Sequence, residues 1–258
     1  MRLAIAIAGL LLVSAAEASV LDHVRRDGAL RVCLWPDNFG ISHRDARTGV
    51  LQGLDVDMSG ALAAELGVRV ELVESTLDRA MDDLDAGRCH IVMMGLVVTP
   101  QRAARADFTR PHLRSDVFAV TTVANSSVRR WEDIDRPGHV VTVLRGSVIE
   151  AAMRDTFRQA ELRVVLRARD RERDVQAGRA DVFLTDYSDS RAIIANTDWA
   201  RVIDPPQPVR PMDFAYAVRK GEAQWLARVD AFLARAKRDG SLESFARRHG
   251  LLPILVRD

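Results

Sequence analysis

Apolar residues recur along the chain at two alternating periods, and this alternation predicts strands interleaved with helices. Residues 30–34 are apolar except for Arg31 and are typical of a short buried strand, whereas residues 68–72 alternate apolar and charged positions as a half-buried strand does. Residues 57–66 place apolar side chains four apart, as one face of a helix does. The elements predicted for this half are strands at 30–34, 68–72 and 91–94, and helices at 57–66, between a Ser75 cap and Gly87, and from Thr99–Pro100 onward.

The same rhythm restarts near residue 140. It predicts strands at 140–144, 162–166, 180–184, 201–203 and 214–219, and helices after a Ser147 cap and at 170–177, 188–196, 222–238 and 242–249. The 36–53 stretch is polar and is predicted to be a loop. Strand–helix alternation of this kind is typical of parallel sheets covered by helices.

Two such units predict an α/β protein of two lobes with a central cleft, joined by two crossover strands. The crossing segments are expected near residues 117–122 and 212–218. One lobe is then discontinuous, with residues 19–118 and 214–258, and the other comprises residues 119–213. In open α/β sheets ligands bind beyond the carboxyl ends of strands, so polar residues that follow strands are the first candidates for a site.

The first eighteen residues have the pattern of a cleavable signal peptide. Arg2 supplies a positive charge, residues 3–13 are apolar, and small residues at 16 and 18 suit cleavage after Ala18. An uncleaved anchor or a buried N-terminal helix is the alternative. The pattern predicts export to a periplasm, without a lipid anchor because no cysteine follows the apolar stretch.

Composition narrows the function further. Lys and Arg number 37 against 36 Asp and Glu, so the net charge of +1 gives no general attraction for nucleic acid or an anionic membrane. No apolar run has the length that a bilayer requires. The six histidines lack metal-ligand spacing and no glycine-rich phosphate loop is present, so neither a metal nor another cofactor is predicted.

Only two cysteines occur, at positions 33 and 89. An oxidising compartment allows them to form a disulfide, provided that the strand containing Cys33 lies beside the strand following Cys89. Two buried free thiols are the alternative.

Three places after strands carry candidate chemistry. Gly95 and the helix start at Thr99–Pro100 offer backbone amides to an anion. Arg102 in that first turn could bind the carboxylate of a ligand; the alternative is that it makes only a local salt bridge on the surface. Gly146 and Ser147 form a second helix start, or only a capping turn. Asp186 follows the apolar stretch 182–184 and suits an ammonium group, or else caps the next helix. Together they suggest a site for a zwitterion.

Several segments, in this order, resemble the extracellular solute-binding proteins of family 3, the amino-acid receptors of ABC importers. The segments are residues 49–57, 86–93, 95–103, 107–111, 178–186 and 237–242, and the resemblance spans about residues 30 to 251. It implies two α/β lobes that close on a ligand, a membrane permease as partner, a monomer, and no catalytic activity.

The resemblance also implies roles for single residues. Arg102 matches the family's carboxylate-binding arginine, and Asp186 matches its ammonium-binding acid. Gly95 stands where a backbone carbonyl contacts the ammonium group, and Ser147 where the second lobe contacts the carboxylate. The candidate ligand-binding residues are Trp35, Phe39, Gly95, Val97, Thr99, Arg102, Gly146, Ser147 and Asp186, with Trp35 and Phe39 offering an aromatic wall or simple lobe packing.

The sequence also departs from the family pattern. Val97 stands where many members have Ser or Thr, His90 where Asp is usual and His112 where Tyr is usual, and residues 35–40 lack the common Pro-Pro-Phe form. Two alternatives therefore stay open. One is a dehydratase, whose acid or base would be His43, His90, His112 or Glu150. The other is a sensor, or a partner that docks beside a quinoprotein dehydrogenase.

Overall fold

A computed structural model of the protein describes residues 19–258, and the predicted signal peptide lies outside them. The α-helices are α1 (Val20–Asp27), α2 (Leu54–Leu66), α3 (Ala80–Asp85), α4 (Pro100–Arg105), α5 (Val148–Thr156), α6 (Ala168–Gln176), α7 (Tyr187–Asn196), α8 (Ala223–Arg238) and α9 (Ser241–Arg248). The strands are β1 (Ala29–Leu34), β2 (Asp37–Asn38), β3 (Ser42–Arg44), β4 (Leu51–Gln52), β5 (Arg69–Glu74), β6 (Ile91–Val92), β7 (Ala106–Phe108), β8 (Leu113–Ser115), β9 (Phe118–Thr122), β10 (Val140–Leu144), β11 (Glu161–Val165), β12 (Val182–Thr185), β13 (Ala200–Ile203), β14 (Met212–Phe214) and β15 (Ala217–Arg219).

Two five-stranded sheets form the centres of two lobes. The first has the order β5-β1-β6-β15-β7, in which β1 runs parallel to both its neighbours. The second has the order β11-β10-β12-β9-β13, in which β10 runs parallel to both its neighbours and β9 is antiparallel to β12 and β13. The predicted fold class, two α/β lobes, is confirmed.

The chain crosses between the lobes twice, through β8 and β14, which pair with each other as an antiparallel two-stranded sheet. The first crossing therefore lies a few residues before the predicted 117–122 segment, since β9 already belongs to the second sheet. The strand predicted at 214–219 is wrong as a single element. Its apolar run is divided between β14 in the crossover and β15 in the first sheet, because the chain changes partners at residues 215 and 216.

Two local predictions in the first lobe are also wrong. The polar stretch 36–53 is not a plain loop but holds the three-stranded sheet β2-β3-β4, whose short strands carry too few apolar residues to be recognised. Ser75 does not cap a helix, because α3 begins only at Ala80. Its hydroxyl donates instead to the buried carboxylate of Asp83, at 2.6 Å.

The predicted disulfide is confirmed. Cys33 on β1 and Cys89, just before β6, are bonded, with Cα atoms 5.5 Å apart and both side chains buried. The bond is possible because β1 and β6 are neighbours in register, with Cys33 opposite Val92. Among residues 19–258, no helix is long and apolar enough to cross a membrane.

Candidate functional site

Arg102 extends from the start of α4 back toward the cleft. Thr99 caps this helix by accepting a hydrogen bond from the Arg102 amide at 3.2 Å. The guanidinium donates from Nη1 to the Val97 carbonyl at 2.9 Å, and from Nη2 to the Gly146 carbonyl of the second lobe at 3.2 Å. Burial lowers the pKa of Arg102 to about 10, so the side chain stays cationic at neutral pH. A half-buried cation thus connects the two lobes and keeps further N–H groups for a ligand.

Gly95 brings its backbone to the same part of the cleft. Its φ of +65° is the left-handed conformation, and a Cβ there would lie 2.8 Å from the Asn38 side-chain nitrogen and from Ile41. The Gly95 amide donates to the buried Asp55 carboxylate at 2.8 Å, and Asn38 donates to the Met94 carbonyl at 2.9 Å. No hydrogen bond within residues 19–258 ends on the Gly95 carbonyl, so this acceptor is available.

Ser147 lies at the start of α5 in the second lobe and takes the role of a helix cap. Its hydroxyl accepts from the Glu150 amide at 3.0 Å and donates to the Leu144 carbonyl at 2.7 Å, and its amide also donates to Leu144, at 3.2 Å. The Gly146 amide donates to the Glu150 carboxylate at 2.8 Å. These groups fix the turn that presents the Gly146 carbonyl to Arg102.

Asp186 is the cap of α7. One carboxylate oxygen accepts from the Asp189 amide at 3.0 Å and from the Ser188 hydroxyl at 2.7 Å. The other oxygen has no hydrogen-bond partner among residues 19–258. Burial, and then the neighbouring Asp189, raise the pKa of Asp186. A cation beside this carboxylate would stabilise its charged form.

Arg102 and Asp186 line one cavity of about 50 Å³ between the lobes. The candidate residues that line it are Trp35, Gly95, Val97, Arg102, Ser147 and Asp186, and the remaining lining residues are Asn38, Leu77, Val148, Ile149, Met212 and Phe214. We call it the clamp cavity. A second cavity of about 50 Å³ shares Asp186 and Ser147 with it and reaches Asp37, Arg171 and Asp189.

Three candidate residues do not line either of these cavities. Thr99 and Gly146 act through Arg102, as its helix cap and its carbonyl partner. Phe39 is 39% exposed and stacks on His43, with ring centroids 4.3 Å apart. It lines a separate, larger cavity of about 340 Å³.

Three residues that line these cavities were not predicted from the sequence: Asn38, Leu77 and Arg171. Asn38 stands beside aromatic candidates that draw more attention, although it is a polar residue closely following a buried strand. Leu77 falls in a predicted helix that in fact begins later. Arg171 is a buried arginine that donates to the Asp189 carboxylate at 2.8 Å, and no sequence spacing links α6 to α7.

The side chains considered for catalysis lie outside both small cavities. Burial lowers the pKa of His90 to about 4, and its ring accepts from the Arg31 amide. His112 is fully buried against Tyr216, with ring centroids 4.2 Å apart. The Glu150 carboxylate accepts from the Gly146 amide at the start of α5. Within residues 19–258, no group of three or more His, Cys, Asp or Glu side chains is arranged to hold a metal ion.

Comparison with known proteins gives a consistent picture. The pattern of the bacterial extracellular solute-binding proteins, family 3, matches residues 30–251. Cyclohexadienyl dehydratase of Pseudomonas aeruginosa is 29% identical, covering 88% of this chain and 84% of its own. L-cystine-binding protein TcyJ of Escherichia coli is 26% identical, covering 93% and 89%. The structure of the ancestral amino acid-binding protein AncCDT-1, described as a precursor of cyclohexadienyl dehydratase, has a TM-score of 0.82 at 30% identity and covers 90% of this chain and 99% of its own.

Proposed function

Because the chain belongs to the bacterial extracellular solute-binding proteins of family 3, we propose that it is a periplasmic receptor that captures an amino-acid-like solute between its lobes and delivers it to an ABC importer. The proposal includes removal of residues 1–18 as a signal peptide, lobes of residues 19–118 with 214–258 and of residues 119–213, and a monomeric state. AncCDT-1 and TcyJ, which carry amino-acid and cystine binding in their names, support the ligand class.

One observation carries the proposal: Arg102 from one lobe and Asp186 from the other line the same cavity. Guanidinium and carboxylate are the partners that suit the two ends of a zwitterion. The free Gly95 carbonyl adds a second acceptor for the ammonium group. A zwitterion held in this way bridges the two lobes.

The lobes must separate before such a ligand enters. A cavity of about 50 Å³ holds roughly one or two water molecules, whereas an amino acid is larger. Arg102 joins the lobes directly through the Gly146 carbonyl. Motion about β8 and β14 breaks this contact, admits the ligand and then closes the lobes on it, so the ligand stabilises the closed form by its differential affinity.

Calorimetry against a panel of L-amino acids tests the proposal. Arg102→Ala removes the proposed charge-assisted contact, which a ligand in the cleft would bury, and should cost on the order of 2–5 kcal/mol of binding free energy. Arg105→Ala is the matched control, since Arg105 is on the same helix but is exposed and pairs with Asp82 and Asp85. Equal affinity in the two variants would remove Arg102 from the site, and no binding of any amino acid would contradict the receptor function.

The dehydratase relative makes an enzyme the second candidate. Incubation of purified protein with the cyclohexadienyl substrate of that relative, followed by mass spectrometry, separates the two functions. Loss of water from the substrate in proportion to protein and time would favour the enzyme, whereas an unchanged substrate favours the receptor.

A further inference from the structure

A larger inter-lobe cavity lies beside the two small ones. It measures about 340 Å³ and lies between the small sheet β2-β3-β4 of the first lobe and helices α6 and α7 of the second. We call it the side cavity. It shares Asp37 and Asp189 with the second small cavity, which in turn shares Asp186 with the clamp cavity. The three cavities therefore follow one another along the cleft, and the side cavity is the larger space next to a ligand held by Arg102 and Asp186.

Two carboxylates of the side cavity are left without a partner in the described part of the chain. Asp37 on β2 and Glu172 on α6 make no hydrogen bond or ion pair with any side chain or amide of residues 19–258, and they come from opposite lobes. The other acids are engaged, because Asp45 accepts amides of its own loop and Asp189 is paired with Arg171. Closing the lobes therefore brings two free carboxylates to one cavity.

The electrostatics of Glu172 are consistent with this arrangement. Burial, and then the nearby carboxylates of Asp189 and Asp37, raise its pKa, although Arg171 and Arg169 act in the opposite direction. Arg169 also lines the cavity and, like Asp37, is exposed to solvent, whereas Glu172 is half-buried. A cation placed between Asp37 and Glu172 would relieve this repulsion.

An aromatic surface completes the side cavity. Phe39 and His43 stack on each other there, and burial lowers the pKa of His43, which keeps its ring neutral at neutral pH. The face of a neutral aromatic ring attracts a cation. Arg44, the remaining cation of this lining, donates instead to Glu74 and to the Gly49 carbonyl at 2.6 Å.

We propose that the side cavity is the subsite for the distal group of the ligand, and that this group is a cation, a guanidinium or an ammonium, held between Asp37 and Glu172. The inference rests on the proposed receptor function and names its substrate class, an amino acid with a cationic side chain. A cavity of about 240 Å³ that is also lined by Trp35 is the competing place for the side chain. Its lining holds Arg145 and Arg79 but also the carboxylate of Asp78, and Arg79 is already paired with Asp83 at 3.5 Å, so it suits an anionic side chain poorly.

Calorimetry with L-arginine and L-citrulline tests the subsite, since citrulline has nearly the same shape without the charge. We expect arginine to bind at least about tenfold more tightly, the scale of a hydrogen bond to a charged group. Glu172→Gln and Asp37→Asn should each weaken arginine binding by a similar factor and leave citrulline nearly unchanged. Glu132→Gln, an exposed substitution in the same lobe as Glu172, is the control and should preserve the arginine preference.

The outcomes separate the subsite from the receptor function. Citrulline binding as tightly as arginine, tighter binding of L-glutamate or L-cystine, or an arginine preference that survives both Glu172→Gln and Asp37→Asn would overturn the subsite and leave the receptor intact. Absence of binding by every amino acid would instead overturn the proposed function, and with it the subsite. Circular dichroism spectra that match the unmodified protein show that each variant is folded.

Discussion

Gly146→Ala should weaken ligand binding by preventing the lobes from closing. Gly146 is in the left-handed conformation at φ +74°, and a Cβ there would lie 2.9 Å from the Asp78 Cβ and 3.2 Å from its Cα and backbone nitrogen. Asp78 belongs to the first lobe and Gly146 to the second, so the overlap exists only where the lobes meet. Overpacking of this kind costs about 1–3 kcal/mol, because backbone atoms must move. That cost falls on the closed form and corresponds to a loss of roughly 5- to 150-fold in affinity.

Gly178→Ala is the matched control for backbone strain. Gly178 lies in the same lobe with φ +66°, but no atom lies within 4 Å of the position that a Cβ would take there. Both variants introduce alanine into the left-handed region and should lose about 1–2 kcal/mol of unfolding free energy. Only Gly146→Ala should also lose ligand affinity.

Calorimetry measures the affinities, urea unfolding measures the stabilities, and small-angle X-ray scattering measures closure. With saturating ligand, Gly146→Ala should keep a larger radius of gyration than Gly178→Ala. Adding Asp78→Gly should restore part of the lost affinity, since it removes the nearest atom. Equal affinities for the two alanine variants, or no recovery with Asp78→Gly, would refute closure through this contact.

Three further predictions follow from buried groups. Replacing Cys33 and Cys89 by Ser opens a link between residues 56 apart in sequence and should lower the unfolding free energy by about 4 kcal/mol in urea denaturation; a loss below about 1 kcal/mol would contradict a stabilising disulfide. Because burial raises the pKa of Asp186, affinity for a zwitterion should fall as the pH drops through that raised pKa and the carboxylate gains a proton. Calorimetry should find that affinity depends less on pH in Asp186→Asn. The same pH dependence in both proteins would show that Asp186 does not bind the ligand. Burial lowers the pKa of His90 from 6.5 to about 4, so the unfolded chain binds a proton first as the pH drops, and the free energy of unfolding decreases from about pH 6.5 down to about pH 4. Over this range the urea midpoint should decrease less in His90→Gln than in the unmodified protein. Parallel curves for the two proteins would show that another group is responsible.

Much of the fold could be predicted because its signals are local. The strand at residues 140–144 has the predicted bounds, and Thr99 and Ser147 cap the helices that follow them. Side-chain periodicity and capping chemistry depend on a few neighbouring residues, so they can be recognised in the sequence. The errors fall where local signals conflict with tertiary contacts, as at Ser75, which donates to Asp83 instead of capping a helix.

The candidate site was only partly predictable, because its members come from separate lobes. Arg102 and Asp186 could each be chosen as polar residues after strands, yet the resemblance to a family was needed to favour ligand contacts over a surface ion pair and a helix cap. Asp186 does cap its helix, with one oxygen, and its other oxygen is left for a partner. Phe39 lines the side cavity and not the clamp cavity, because its ring, in the turn between β2 and β3, stacks on His43.

The sequence by itself determined the alternation of strands and helices, the helix starts beyond strands, and the two cysteines that an exported protein can join. Only the tertiary structure decided that Arg102 reaches the Gly146 carbonyl, and that Asp37 and Glu172 share one cavity. The reason is geometric. Periodicity fixes which face of an element is buried, whereas the distance between two lobes depends on how the crossover strands orient them and on which side chains meet in the cleft.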